Sequence, residues 1–229
     1  MALPEMDFPC APHRLSGVVY GCLLNHRPAL AALGDAVNAA PYKAAPQAPV
    51  LYVKPRNTLA SDGAMVHVPA DAPELELGAA LGLVIGRTAW RVDEAQALQH
   101  VAGVTIVADV SVPHSSFYRP SVRLKARDGF CPIGPRVLPL GEAGDLDALA
   151  VRVWLDGALV HETTTGDRIR SAARLLADVS AFMTLAPGDV LMLGVSHGAP
   201  RVRAGQRAEI EIAGIGRLRL QFAAEEARA

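Results

Sequence analysis

The chain is heavily punctuated. Twenty Gly and 17 Pro divide 229 residues, otherwise rich in Val, Leu and Ala, into short apolar stretches. Glycine admits backbone conformations with positive φ, and proline stops both helix interiors and central strands. A chain cut this often builds many short strands joined by tight turns. The longest apolar stretches, such as residues 81–85 and 103–108, fall far short of the ~20 residues a membrane helix requires.

Half the residues are hydrophobic (51%), enough for a sizeable core. The length predicts one large domain: an arm over residues 1–16, a single domain over 17–223 and a tail over 224–229. Twenty-two Lys and Arg stand against 23 Asp and Glu, a net charge of -1. That balance argues against disorder and against a phosphate-backbone binder, so no nucleic-acid partner is expected. Cys10, Cys22 and Cys131 are too few and too scattered for a disulfide framework or a zinc site. Met1 to Pro12 lacks a basic then apolar leader pattern. A cytoplasmic protein with no membrane partner is the expectation.

Strands are predicted over residues 17–24, 50–54, 65–68, 77–87, 103–109 and 190–193. Asp156-Gly157 lies between two alternating segments and predicts a type I′ hairpin. Gly214-Ile215-Gly216 predicts another. The clearest helix spans residues 168–183, where Ile169, Ala172, Ala173, Leu176, Val179, Ser180 and Met183 form one stripe. A shorter helix over 93–100 would take Asp93 as its N-cap. Strands outnumber helices without alternating regularly with them, so the fold class is α+β, dominated by β.

The densest group of charged side chains is Arg119, Arg123, Lys125 and Arg127, just after Tyr118. Arg123, Lys125 and Arg127 share one parity, so an extended chain points all three one way. Such a row suits a polyanionic small molecule; by spacing alone a solvated edge strand, kept charged against aggregation, is the first reading. Lys54 and Arg56 make a second basic corner at a strand end. Asp109 closes a very apolar strand, and a carboxylate there is a turn residue or a buried group that needs a partner. Glu74 and Glu76, spaced i, i+2, are either a solvated pair or metal carboxylates on one face. Cys131 reads as a small buried residue. The adjacent pairs Ser196-His197 and His114-Ser115 read as loop residues, because adjacency is not triad geometry.

These residues, taken in order, resemble the fumarylacetoacetate hydrolase family from about Gly17 to Phe222. The resemblance is carried by Leu24-Asn25, by Lys54-Pro55, by Val84-Ile85-Gly86-Arg87 and by Ala108-Asp109-Val110. It continues through Lys125, Phe130-Cys131-Pro132-Ile133-Gly134-Pro135, Asp167 opening the long helix, and Leu185-Ala186-Pro187-Gly188-Asp189. Asn25-His26-Arg27, Pro41-Tyr42-Lys43, Lys54-Pro55-Arg56-Asn57 and Ser116-Phe117-Tyr118-Arg119-Pro120 make it most similar to one branch. In that branch, the domain is the N-terminal half or first subunit of an isomerase/decarboxylase in 4-hydroxyphenylacetate breakdown.

The resemblance implies a distorted β-sheet roll with a few peripheral helices. It implies a tricarboxylate substrate, and a homodimer or an assembly with a second fumarylacetoacetate hydrolase-like subunit. It implies isomerisation of a 5-carboxymethyl-2-hydroxymuconate type of substrate, and decarboxylation of 5-oxopent-3-ene-1,2,5-tricarboxylate. Lys54, Asp109 and Lys125 would be catalytic. Asn25, Arg27, Arg56, Tyr118, Arg119, Arg123 and Arg127 would bind substrate. The family also implies a divalent metal, Mg²⁺ or Mn²⁺, held by two glutamates and an aspartate. Here the glutamate positions read Gly78 and Ala80, leaving Asp109. The family's acid/base pair in the short helix reads Ala29 and Ala32. Two other readings follow from these departures. One is a catalytically degenerate subunit that partners a metal-competent one. The other is an acylpyruvate-type hydrolase, which would need Glu74 and Glu76 as ligands.

Overall fold

The computed structural model describes residues 8–114 and 121–225. In chain order its strands are β1 (Phe8–Cys10), β2 (His13–Leu15), β3 (Val19–Leu23), β4 (Val50–Lys54), β5 (Leu59–Ala60), β6 (Met65–Val68), β7 (Leu75–Ile85) and β8 (Val101–Ser111). They continue as β9 (Cys131–Pro139), β10 (Ala150–Leu155), β11 (Ala158–Thr164), β12 (Val190–Met192), β13 (Arg201–Val202), β14 (Arg207–Ile212) and β15 (Gly216–Ala224). The α-helices are α1 (Arg27–Ala31), α2 (Glu94–Ala97), α3 (Val122–Lys125) and α4 (Ala172–Ser180).

The centre of the roll is the β7–β8 pair, each strand 11 residues long. On one side of it the main sheet continues β12-β3-β4, and on the other β9-β5, with β13 on the end of β7. A second sheet, ordered β11-β10-β14-β15-β6, packs across β8 and β9. Both central strands are buried on both faces. Leu75, Leu77, Ala79, Leu81, Leu83 and Ile85 of β7 enter the main core, shared with the second sheet and α4. Ala80 and Val84 face a smaller core with Val19, Val107, Ile133, Val190 and Met192. The β1–β2 hairpin supplies Cys10 and Leu15 to that smaller core and is tied on by Val137 N–H to Ala11 and Ser16 N–H to Gly188. Alternation with period two therefore sends successive residues into two different cores, which is why the sequence here reads as continuous apolar run.

Asp156 and Gly157 take φ of 50° and 84°, both positive as a type I′ turn requires. The long helix is shorter than its periodicity predicts. It begins at Ala172, where the Ser171 hydroxyl accepts from Arg174 N–H at 3.1 Å. Asp167 lies earlier, in a 3₁₀ turn (Thr165–Asp167), and Ile169 precedes the helix. Leu175 takes its place in the buried stripe. The 93–100 segment divides into α2 and a 3₁₀ turn, and Asp93 makes no side-chain cap bond. No helix among the described residues is long and apolar enough to cross a membrane.

One departure moves the chemistry. Residues 122–125 are not extended but form one turn, α3, docked on the end of β8 by the bond from Val112 N–H to Leu124 carbonyl. Arg123, Lys125 and Arg127 consequently do not share a face.

Candidate active site

β8 does not end at Asp109; it runs on to Ser111, so the carboxylate lies inside a sheet. Its side chain leaves the strand on the parity of Thr105 and Val107, away from the main core. Tyr52 and Lys54, two residues apart on β4, reach it from one side. Gly21 faces Tyr52 in register, and a Cβ there would lie 2.1 Å from the ring, so the glycine makes room for it. The Tyr52 hydroxyl donates to Asp109 Oδ2 at 2.5 Å. Lys125 descends from α3 and donates to the same oxygen at 2.8 Å, its ammonium 4.7 Å from the Tyr52 ring centroid. The Lys54 ammonium lies 2.9 Å from Oδ1.

All of this is nearly dry. Side-chain exposure is 0% for Lys54 and Asp109 and 7% for Lys125. Burial alone would raise the Asp109 carboxyl, but the ammoniums of Lys125 and Lys54 override it and hold the group ionised far below the usual carboxylate range. Burial pushes Lys54 down, and Asp109 pulls it part of the way back. Burial and the adjacent carboxylate raise Tyr52 well above its usual value. Cys131 is pushed up to about 12 by burial, so it is a packed thiol and not a nucleophile. Two ammoniums against one carboxylate leave the site with a surplus positive charge.

Lys125 also lines a cleft of about 260 Å³ whose other walls include Ala29, Glu76, His114, Ser196 and His197. A larger hollow of about 790 Å³ lies against α4, away from Asp109. Its arginines 168, 170 and 174 are already bound to Asp147, Asp178 and Glu94.

The remaining expected site residues are distributed elsewhere. Asn25 is a clamp: its amide donates to Leu193 and Arg170 carbonyls at 2.9 and 3.2 Å and accepts from Arg170 N–H at 2.9 Å. Arg27 opens on the hollow by α4, not on the Lys125 cleft. Arg56 donates to the Ser16 carbonyl at 2.9 Å. Arg123 and Arg127 both bind Asp71, each at 3.0 Å. Tyr118 and Arg119 lie outside the described residues.

The profile described as "Fumarylacetoacetate (FAA) hydrolase C-terminal" matches residues 18–223. This chain belongs to the fumarylacetoacetate hydrolase family. It is 37% identical over 196 residues to the 4-hydroxyphenylacetate degradation bifunctional isomerase/decarboxylase of Escherichia coli, covering 86% of this chain and 44% of that protein. The Salmonella dublin counterpart matches at 37% over 212 residues, with 93% and 48% covered. The chain thus spans about half the length of these curated relatives. Among solved structures it is similar to 5-carboxymethyl-2-hydroxymuconate delta-isomerase from Mycobacterium smegmatis, with TM-score 0.79, 26% identity, and 97% and 83% of the two chains covered. Fumarylpyruvate hydrolase from Pseudomonas aeruginosa, in complex with Mn²⁺ and pyruvate, shares the fold at TM-score 0.81, 22% identity, and 98% and 99% coverage.

The residues present do not fit the divalent ion that the fumarylacetoacetate hydrolase family implies. Gly78 stands opposite Asp109 in the sheet and Ala80 opposite Val107. A Cβ on Gly78 would lie 2.6 Å from Val195 Cγ1, so Val195 fills the space a glutamate would need. The β7–β8 register runs unbroken from Glu76 to Val84. No four-residue insertion brings Glu74 or Glu76 back to Asp109. Glu76 is instead opposite Ser111 and paired with Arg201 at 3.2 Å, and Glu74 is paired with Arg203 at 3.2 Å. A dication beside Asp109 would also be repelled by two ammoniums within 3 Å of that carboxylate.

Two features of this family member escape a reading of the residues in sequence. Tyr52 is one; its only signal is the i, i+2 parity with Lys54. The second is a histidine group around the loop after β12. His161 Nε2 is 2.7 Å from Ser196 Oγ, and His197 N–H donates to His26 Nδ1 at 3.1 Å. Ser196-His197 stands out only as an adjacent pair, and His161 lies in the second strand of the Asp156-Gly157 hairpin, 35 residues from Ser196.

Proposed function

We propose that this chain is an isomerase of the 5-carboxymethyl-2-hydroxymuconate type, working as one half of a two-part enzyme of 4-hydroxyphenylacetate breakdown. One observation carries the reading. Asp109 is held between Lys54 and Lys125, and Lys125 reaches the cleft from a site with surplus positive charge. A conjugated dienol bearing three carboxylates develops negative charge on its enol oxygen as the proton leaves. A fixed ammonium in a nearly dry site stabilises that charge without reorganising. Asp109 keeps Lys125 aimed, and Lys54 holds together the end of β8 and the end of α3 that carry the two. Lys125 touches the substrate; Lys54, Asp109 and Tyr52 position it.

Isomerisation needs positioned proton donors and acceptors but no metal electron sink, which matches the residues present. The acylpyruvate-hydrolase reading is abandoned, because Glu74 and Glu76 are paired with arginines. A cytoplasmic location and a dimeric or mixed assembly accompany this proposal.

The purified chain should accelerate the change in ultraviolet absorbance of the dienol. EDTA should leave that rate unchanged, and Lys125→Met should reduce it by about 100-fold, the scale of losing one aimed charge. No acceleration by the chain alone overturns the stand-alone reading.

A second reading is favoured by the half-length match to the curated relatives. The chain would then complete an enzyme whose metal-competent subunit does the decarboxylation. Co-purification with such a subunit, and loss of decarboxylation when this chain is removed, support it; indifference to removal overturns it.

A further inference from the structure

We propose that Ser196 and His161 form the proton relay of the Lys125 cleft, in place of the acid/base pair whose positions are Ala29 and Ala32 in this chain. The proposal rests on the isomerase reading and deepens it.

Four observations carry it. Ser196 lines the same cleft as Lys125, which puts the two residues on the walls of one cavity. His161 stands behind Ser196 with Nε2 2.7 Å from Oγ, the reach of a direct proton transfer. The loop that carries Ser196 is pinned: His197 N–H donates to His26 Nδ1, and His26 is itself buried at the head of α1. Finally, Ala29 lines the cleft where a polar helix residue would otherwise serve, so that wall offers no proton.

The electrostatics agree. Burial lowers His161, and His197 lowers it further. The titratable groups facing it are His197 and His26, and the residue opposite on β10 is Val153. Both effects disfavour the charged ring, as a group that takes up a proton and gives it back requires. The step balances without a co-reactant. The substrate's enol O–H breaks and its proton passes to Ser196 Oγ as the Ser196 proton passes to His161 Nε2. The enolate oxygen is held by Lys125. The imidazolium then returns the proton, through Oγ, to the conjugated carbon, forming C–H and restoring a neutral ring.

The test uses the full chain and two substrates. With the dienol, Ser196→Ala and His161→Gln should each lower kcat by about 100-fold with KM within threefold. His161→Gln should also remove the acidic limb of the wild-type pH–rate profile. Ser196→Thr keeps the hydroxyl and should retain at least about a third of kcat, which separates the relay from a folding defect. Wild-type kcat in both variants, with activity lost in Lys125→Met, overturns the relay and leaves the isomerase reading standing. The second substrate is oxaloacetate in D₂O, with exchange of its C3 protons followed by NMR. Exchange that depends on Ser196 and His161, without dienol turnover, supports the relay and overturns the substrate assignment. Exchange unaffected by either variant, or no exchange and no dienol turnover, overturns the relay.

Discussion

Lys54 and Asp109 lie 2.9 Å apart, both fully buried, and the same ammonium is surrounded by backbone carbonyls. It donates to the carbonyls of Val110, Lys125 and Phe130 at 2.6, 2.7 and 2.9 Å. The residue therefore ties together the end of β8, the end of α3 and the entry to β9, while its charge balances Asp109 through space.

Lys54→Met should consequently be severe. It removes a buried donor from three carbonyls, of which Phe130's keeps the bond from Val110 N–H at 3.1 Å, and leaves Asp109 with one cation fewer. Breaking one partner of a buried ion pair costs about 3–5 kcal/mol, and urea unfolding of the variant should show a loss on that scale. Lys125→Met removes a partner at the cleft edge and should cost clearly less. Equal losses would show that Lys54 is not the hub.

Asp109 predicts an acid-side dependence of stability. Its carboxyl titrates lower in the fold than in the unfolded chain, where it lies near ~4. The stabilisation is then fully present above the unfolded value and disappears as pH falls below it. The stability difference between wild type and Asp109→Asn should be flat from pH 5 to 7 and shrink progressively below ~4. A difference that stays constant to pH 2.5 would contradict the ion-pair geometry.

Gly78 and Val195 should be coupled. Gly78→Ala forces a Cβ to 2.6 Å from Val195 Cγ1 and 3.1 Å from the Asp109 carbonyl. Overpacking of this kind costs about 1–3 kcal/mol. In a Val195→Ala background most of that cost should vanish, leaving a non-additive double-mutant cycle. Additive effects would show that Val195 does not fill the space beside Asp109.

Arg123 and Arg127 should behave as surface residues despite their place beside Lys125 in sequence. Both bind the exposed Asp71, and exposed pairs contribute little. Arg123→Ala and Arg127→Ala should leave the urea midpoint and the KM for the dienol unchanged within error. A tenfold rise in KM in either variant would return it to the site.

Several elements are legible in the sequence because their signals are local. Asp156-Gly157 can hardly be anything but a tight turn, and the alternation on each side of it sets β10 and β11. The apolar centres of β7 and β8 follow from composition over a few residues, as do the two basic corners at Lys54 and Lys125. What local signals cannot carry is which side chains meet. Lys54 and Lys125 are 71 residues apart, and His161 and Ser196 are 35 apart. Their contacts depend on strand register and on the loops that return between sheets. The α3 turn makes the point most sharply. Alternating charge at Arg123, Lys125 and Arg127 reads as one edge of a strand. Docking of α3 on β8 instead turns Lys125 inward to Asp109 and leaves both arginines on Asp71. The sequence by itself determined a β-rich chain of this family with its lysines and without its glutamates. Only the tertiary structure decided that the lysines crowd Asp109 where a metal would need room, because burial and register, not spacing, bring those charges together.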